Sequence, residues 1–267
     1  MALVGVGEIE LDCERSGSGP PLLLIMGMSG TFSHWSETFL ELLRRDFEVI
    51  VYDHRGVGAS SRLEGPITIR QMAEDAAGLL TALEIDSAHV LGISMGGMIA
   101  QELVLAHPRR LRTLTLGCTY CGGPGSALMS PEIMRRIAEA RASRDRERAI
   151  RTSWELNVSP AFAADEEAWA RFREIGLRRA VALPVIAEQG RAISAHDTSA
   201  RLGEIALPTL VLHGTADQIL PVQNAPLLAE RIPGARLELF DDVGHLFFWE
   251  IPERSAELLR DHIAVHA

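Results

Sequence analysis

Residues 90–97 read Val90-Leu91-Gly92-Ile93-Ser94-Met95-Gly96-Gly97. This stretch decides the fold. It sets a G-x-S-x-G pattern, Gly92-x-Ser94-x-Gly96, between an apolar run from Ala88 to Ile93 and a helix-like run from Met98 to Ala106. A serine in that setting sits on a sharp strand-to-helix turn with strained backbone dihedrals. Small residues are needed two before and two after it, because a Cβ there collides with neighbouring backbone. The turn lifts the hydroxyl over the C-terminal edge of a sheet. It also aims the amide of Met95 at the place where an oxyanion would form. The five-residue pattern alone is weak, and the strand-turn-helix context gives it weight.

Outward from this motif, strand and helix signals alternate with short connections. Ile9 to Glu14, Leu22 to Met26, Phe47 to Tyr52, Leu111 to Leu116, Leu210 to Leu212 and Leu237 to Phe240 read as strands. The unbroken apolar run Leu22 to Met26 is that of a strand buried on both faces. Trp35 to Arg45, Ile69 to Leu83, Met98 to Ala106 and Pro252 to His262 carry helical spacing. The predicted class is α/β, a mostly parallel central sheet with helices on both faces. The pattern changes after Cys121. Gly122-Gly123-Pro124-Gly125 breaks the chain, and Pro131 to about Gly190 reads as several amphipathic helices. The expected organisation is a core made of residues 1–121 and 200–267, split by a helical cap insertion over 122–199.

The 267 residues suit one large domain with an insertion, and 47% hydrophobic with 23% charged residues fits a globular chain. A net charge of −10 opposes binding to nucleic acid or to an anionic membrane surface. Positive charge is carried by arginine and clusters between Arg135 and Arg179, interleaved with acids, as on solvated helix faces. No apolar run approaches the ~20 residues of a membrane span, and the acidic start, Met1 to Glu10, is unlike a signal peptide. Cysteines are sparse and odd in number: Cys13, Cys118 and Cys121. They fit a reducing, cytoplasmic setting. Cys118 and Cys121 form a lone C-x-x-C, read as small buried thiols at a strand end rather than as a redox or zinc site. Oligomeric state stays open, with a homo-oligomer compatible with the sequence.

A serine hydroxyl needs a base to take its proton and a carboxylate to orient that base. Asp217 lies in the turn His213-Gly214-Thr215-Ala216-Asp217 after one strand signal, and His245 follows Val243-Gly244 after the next. Gly244 is read as permitting a tight turn that projects His245 toward Ser94. Asp241 and Asp242 stand close enough to His245 to serve as the acid instead.

At these points the chain resembles the α/β-hydrolase fold family. The resemblance runs over nearly the whole chain and includes Asp53-His54-Arg55-Gly56-Val57-Gly58-Ala59-Ser60, similar to the family's D-x-R-G-x-G-x-S loop. Among subfamilies it is similar to small bacterial esterases, enol-lactonases and cofactor-free haloperoxidase-like perhydrolases. The resemblance implies Ser94 as nucleophile, His245 as general base and acid, and Asp217 as orienting acid. It implies an oxyanion hole of the Met95 and Met28 amides, with Met26 where the family has histidine. The family's aspartate-nucleophile dehalogenases and epoxide hydrolases are set aside by the serine at 94. The expected activity is hydrolysis of a small, fairly apolar carboxylic ester or lactone, with Gly27, Trp154, Leu220 and Phe247 as substrate contacts. Carbon–carbon hydrolysis, perhydrolysis, or a slow ligand sensor are the alternatives. No metal and no organic cofactor is implied.

Overall fold

A computed structural model describes residues 2–178 and 180–266. Arg179, one end of the arginine cluster, lies outside the described residues. Eight strands form one sheet: β1 (Ala2–Val6), β2 (Ile9–Gly17), β3 (Pro21–Ile25), β4 (Glu48–Tyr52), β5 (Ala88–Ile93), β6 (Leu111–Gly117), β7 (Thr209–Gly214) and β8 (Arg236–Phe240). Their order is β1-β2-β4-β3-β5-β6-β7-β8. The β1/β2 and β2/β4 pairs are antiparallel, and the others are parallel.

The apolar run of β3 shows why the sheet is sandwiched. Leu22 and Leu24 join the core on one face, while Leu23 and Ile25 join the core on the other. Side chains alternate along a strand, so a run apolar at every position needs cover on both sides. One cover consists of α2 (Ile69–Ala82), α3 (Met95–Ala106) and α8 (Asn224–Arg231). The other includes α1 (Glu37–Arg44) and α10 (Pro252–Val265). Between β6 and β7 run α4 (Pro131–Ala142), α5 (Arg146–Asn157), α6 (Glu166–Arg178) and α7 (Leu183–Ser194). Trp154 and Phe172 carry α5 and α6 into the second core.

Three elements differ from the sequence expectation. Strand β1 was unforeseen; it is a short edge strand whose residues are exposed or half-buried, so no apolar run marks it. Helix α8 has eight residues, too few for a clear helical period. A four-residue helix, α9 (Phe247–Glu250), follows His245.

Parallel register aligns the C-terminal strand ends. Ile93 pairs with Gly117, Gly117 with Leu212, and Gly214 with Phe240. The loops leaving β5, β6, β7 and β8 therefore emerge along one rim, where open α/β sheets bind ligands.

Candidate active site

Ser94 is the first residue beyond β5. Its dihedrals, φ 56° and ψ −121°, are those of a strained turn. The flanking glycines are sterically required. A Cβ at Gly92 would collide with the Gly96 carbonyl, and one at Gly96 would collide with the Ile25 carbonyl. The Ser94 amide donates to the Gly117 carbonyl at 2.9 Å, and the Thr119 hydroxyl donates to the Ser94 carbonyl at 2.7 Å. The loop after β6 thus fixes the turn from both sides.

Asp217 follows β7 and His245 follows β8. His245 Nδ1 lies 2.7 Å from Asp217 Oδ2, with both side chains almost wholly buried. Asp217 Oδ1 accepts the amides of Ile219 and Leu220 at 2.8 and 2.9 Å. The buried His213 places Nε2 at 3.1 Å from Asp217 Oδ2 and 2.9 Å from the Leu220 carbonyl. Burial pushes the Asp217 carboxyl up. The His245 charge and the hydrogen bonds of both histidines outweigh that and hold it well below the usual carboxylate range. Asp241 and Asp242 are exposed, and the carboxylate in contact with His245 is that of Asp217.

Cys118 also belongs to this cluster. Its sulfur, a His245 nitrogen and an Asp217 oxygen lie within 4.8 Å of one another. Burial, with Asp217 beside it, pushes the thiol well above its ordinary pKa. It is therefore a protonated thiol next to a carboxylate. Cys121 is likewise buried and free.

Gly244 has a different role from the turn former expected of it. Its φ is not positive, and a Cβ there would lie 2.6 Å from the Val158 backbone. Glycine allows the histidine loop to pass against the chain that leaves α5. Glu250 joins the same two segments. Its Oε1 accepts the amides of Gly244 at 2.8 Å and Ser159 at 2.9 Å.

The loop after β3, Met26 to Thr31, is braced from three sides. Asp53 Oδ1 accepts the Phe32 amide at 2.6 Å, and His54 Nε2 donates to the Met26 carbonyl at 2.9 Å. Gln189, reaching in from α7, accepts the Ser29 amide at 2.9 Å. Arg55 pairs with Asp75 and helps hold its own loop.

Ser94 and His245 line one cavity of about 450 Å³, together with Gly27 and Met28. Much of the remaining wall comes from the helices between β6 and β7, including Ile137, Ile150, Leu156, Phe172 and Ile186. His34 lines it too, and burial pushes its pKa down to about 4, leaving it neutral.

A family model, the alpha/beta hydrolase fold, matches residues 20–252. The chain belongs to the alpha/beta hydrolase family. It is a hydrolase. RutD of Azorhizobium caulinodans, provisionally named a carbamate hydrolase, is 33% identical over 254 residues, covering 95% of this chain and 94% of that one. A thermophilic esterase from Thermogutta terrifontis is 28% identical with a TM-score of 0.80, covering 100% of this chain and 99% of its own. The enol-lactonase of Burkholderia xenovorans LB400 is 25% identical with a TM-score of 0.83, covering 98% and 100%.

Within this alpha/beta hydrolase, Gly27 lies on the cavity wall, and the other three expected contacts are placed away from it. Trp154 is wholly buried among Phe162, Trp169, Phe172 and Trp249, with its Nε1 donating to the Ala163 carbonyl. Leu220 is occupied at the Asp217 turn. Phe247 is wholly buried against Phe240 and Phe248. Met95, expected in the site only through its amide, packs its side chain into the core, as does Met98. Sequence reasoning missed His213, Glu250, Thr119 and Gln189 as supports. It also missed the side chains that the helices between β6 and β7 place on the wall. Leu246, next to His245, carried a positional signal; the others carried none.

Proposed function

We propose that this chain is a serine hydrolase of small, fairly apolar carboxylic esters or lactones, acting through an acyl-enzyme on Ser94, His245 and Asp217. The observation that carries the reading is one cavity lined by a serine on a strained turn and by an imidazole fixed to a buried carboxylate. His245 Nε2 takes the hydroxyl proton as Ser94 attacks the carbonyl carbon. Asp217 holds the ring orientation and stabilises the imidazolium. The Met28 and Met95 amides receive the oxyanion. His245 returns the proton to the leaving oxygen, then activates water to free the acyl group. In a lactone the leaving alcohol stays attached, and the product is a hydroxy acid. The chemistry calls on no metal or organic cofactor.

The cap supplies apolar wall, which favours an apolar acyl or alcohol part. Among the described residues no helix is long and apolar enough to cross a membrane. The likeness to RutD supports a carbamate as a second substrate type for the same triad. The test is a panel of p-nitrophenyl esters, lactones and an aryl carbamate, with a vinylogous diketone and peroxide for the other bond types. Steady turnover of an ester or lactone, abolished in Ser94→Ala, is the expected result. Turnover of the diketone alone, or tight binding without turnover, overturns it.

A further inference from the structure

We infer that the substrate of this site carries a carboxylate, received on the cap side of the cavity by Arg141 and Arg144. The inference rests on the hydrolase reading above and names its substrate class.

The first observation is a local reversal of charge. The chain as a whole is −10. Yet the formal charges on the wall of this cavity are Arg141, Arg144 and Arg146 against one acid, Asp145. That acid is already engaged. Asp145 caps α5, its Oδ1 accepting the Arg148 amide at 3.0 Å. A carboxylate there also answers the positive end of the helix. Arg146 is engaged as well, donating to the carbonyls of Gly176 and Leu177 near the end of α6.

Arg141 and Arg144 are different. Most neighbouring cap arginines have carboxylate partners: Arg151 meets Glu155, Arg173 meets Glu147 and Arg178 meets Glu174. Arg141 and Arg144 have no ion pair or side-chain hydrogen bond with any described residue. Both stand at the C-terminal end of α4, Arg141 in its last turn and Arg144 just beyond at φ 55°. Carbonyls at such an end favour a cation. The Arg141 side chain reaches solvent, but burial lowers its pKa, with no carboxylate to offset the effect. A guanidinium does not give up its proton at working pH, and its planar fork matches a carboxylate. Two unpaired forks on the wall of a mainly apolar cavity suit an ester or lactone whose acyl or alcohol part ends in a carboxylate.

The test compares p-nitrophenyl half-esters of dicarboxylic acids, succinic to suberic, with p-nitrophenyl esters of monocarboxylic acids of equal length. Wild type prefers at least one half-ester by kcat/KM. In Arg141→Gln/Arg144→Gln that preference ratio falls roughly 10- to 100-fold, mostly through KM, as expected for losing a charged hydrogen-bonded contact. Arg141→Lys/Arg144→Lys retains most of the ratio, and added salt lowers it in wild type. An unchanged ratio in the glutamine variant overturns the inference, as does a wild type that prefers every neutral ester. Calorimetric titration of Ser94→Ala with the free dicarboxylates reads the anion site without turnover. Binding that weakens when both arginines become glutamine supports it, and binding indifferent to them contradicts it. A wild type that cleaves neither series fails the hydrolase reading, and the titration then decides the anion site alone.

Discussion

Asp217 is where the electrostatics of the site converge. Its two oxygens receive two backbone amides and two histidine nitrogens, all within 3.1 Å. A buried carboxylate so surrounded stays ionised, and in the proposed triad it keeps His245 in one tautomer with Nε2 free to act as base. Asp217→Asn is expected to lower kcat by ~10⁴, with KM little changed, as read from steady-state kinetics on the best ester. Asp241→Asn and Asp242→Asn, both exposed, are expected to keep wild-type rates. A near-normal rate in Asp217→Asn would move the acid elsewhere. At this scale the sequence is informative about where Ser94, Asp217 and His245 stand, because each follows a strand signal, and the structure places each beyond a strand end. It gives no role to His213, four residues before Asp217, and does not show that Cys118 meets Asp217, because that approach is set by the alignment of β6 with β7, Gly117 beside Leu212.

Between elements, two polar side chains tie the cap region to the catalytic loops. Glu250 links the histidine loop to the segment after α5 through the Gly244 and Ser159 amides. Burial, helped by Asp217 nearby, pushes its carboxyl up while the two amides oppose this. Glu250→Ala leaves both amides without an acceptor, which costs about 1–3 kcal/mol per buried group. The expected outcome is a lower Tm and a kcat reduced on the order of 10-fold, read by thermal denaturation and kinetics. Glu250→Gln keeps a carbonyl acceptor and restores most of both. Wild-type behaviour in Glu250→Ala would mean that the loop is held by other contacts. Gln189 does the same for the loop after β3, accepting the Ser29 amide from α7. The existence of helices between β6 and β7 was legible from amphipathic spacing. Their inward faces were not, since Trp154 and Phe172 are equally apolar in the sequence. One closes the aromatic core and the other reaches the cavity wall.

Over the whole molecule, the parallel register of β5 to β8 brings four loop starts to one rim, and the site is a property of that alignment. Burial also gives the fold an acid-sensitive edge. It pushes His34, His89, His196 and His262 down to about 4 from an ordinary 6.5. Below pH 6.5 the unfolded chain takes up protons that the fold refuses, so this stability is complete above 6.5 and is lost toward pH 4. Asp217, held low, adds a further loss only at more acid pH, as its carboxylate is protonated. Calorimetry between pH 7 and pH 5 is expected to show a falling Tm with net proton uptake on unfolding. A flat Tm across that window would contradict the buried, neutral histidines. The claim that the strand ends assemble a reactive alcohol is tested most directly by a fluorophosphonate and intact-protein mass spectrometry. The account predicts a single adduct in wild type, mapped to Ser94, absent in Ser94→Ala and much slower to form in His245→Ala. An adduct that persists in Ser94→Ala, or an unlabelled wild type, would contradict it.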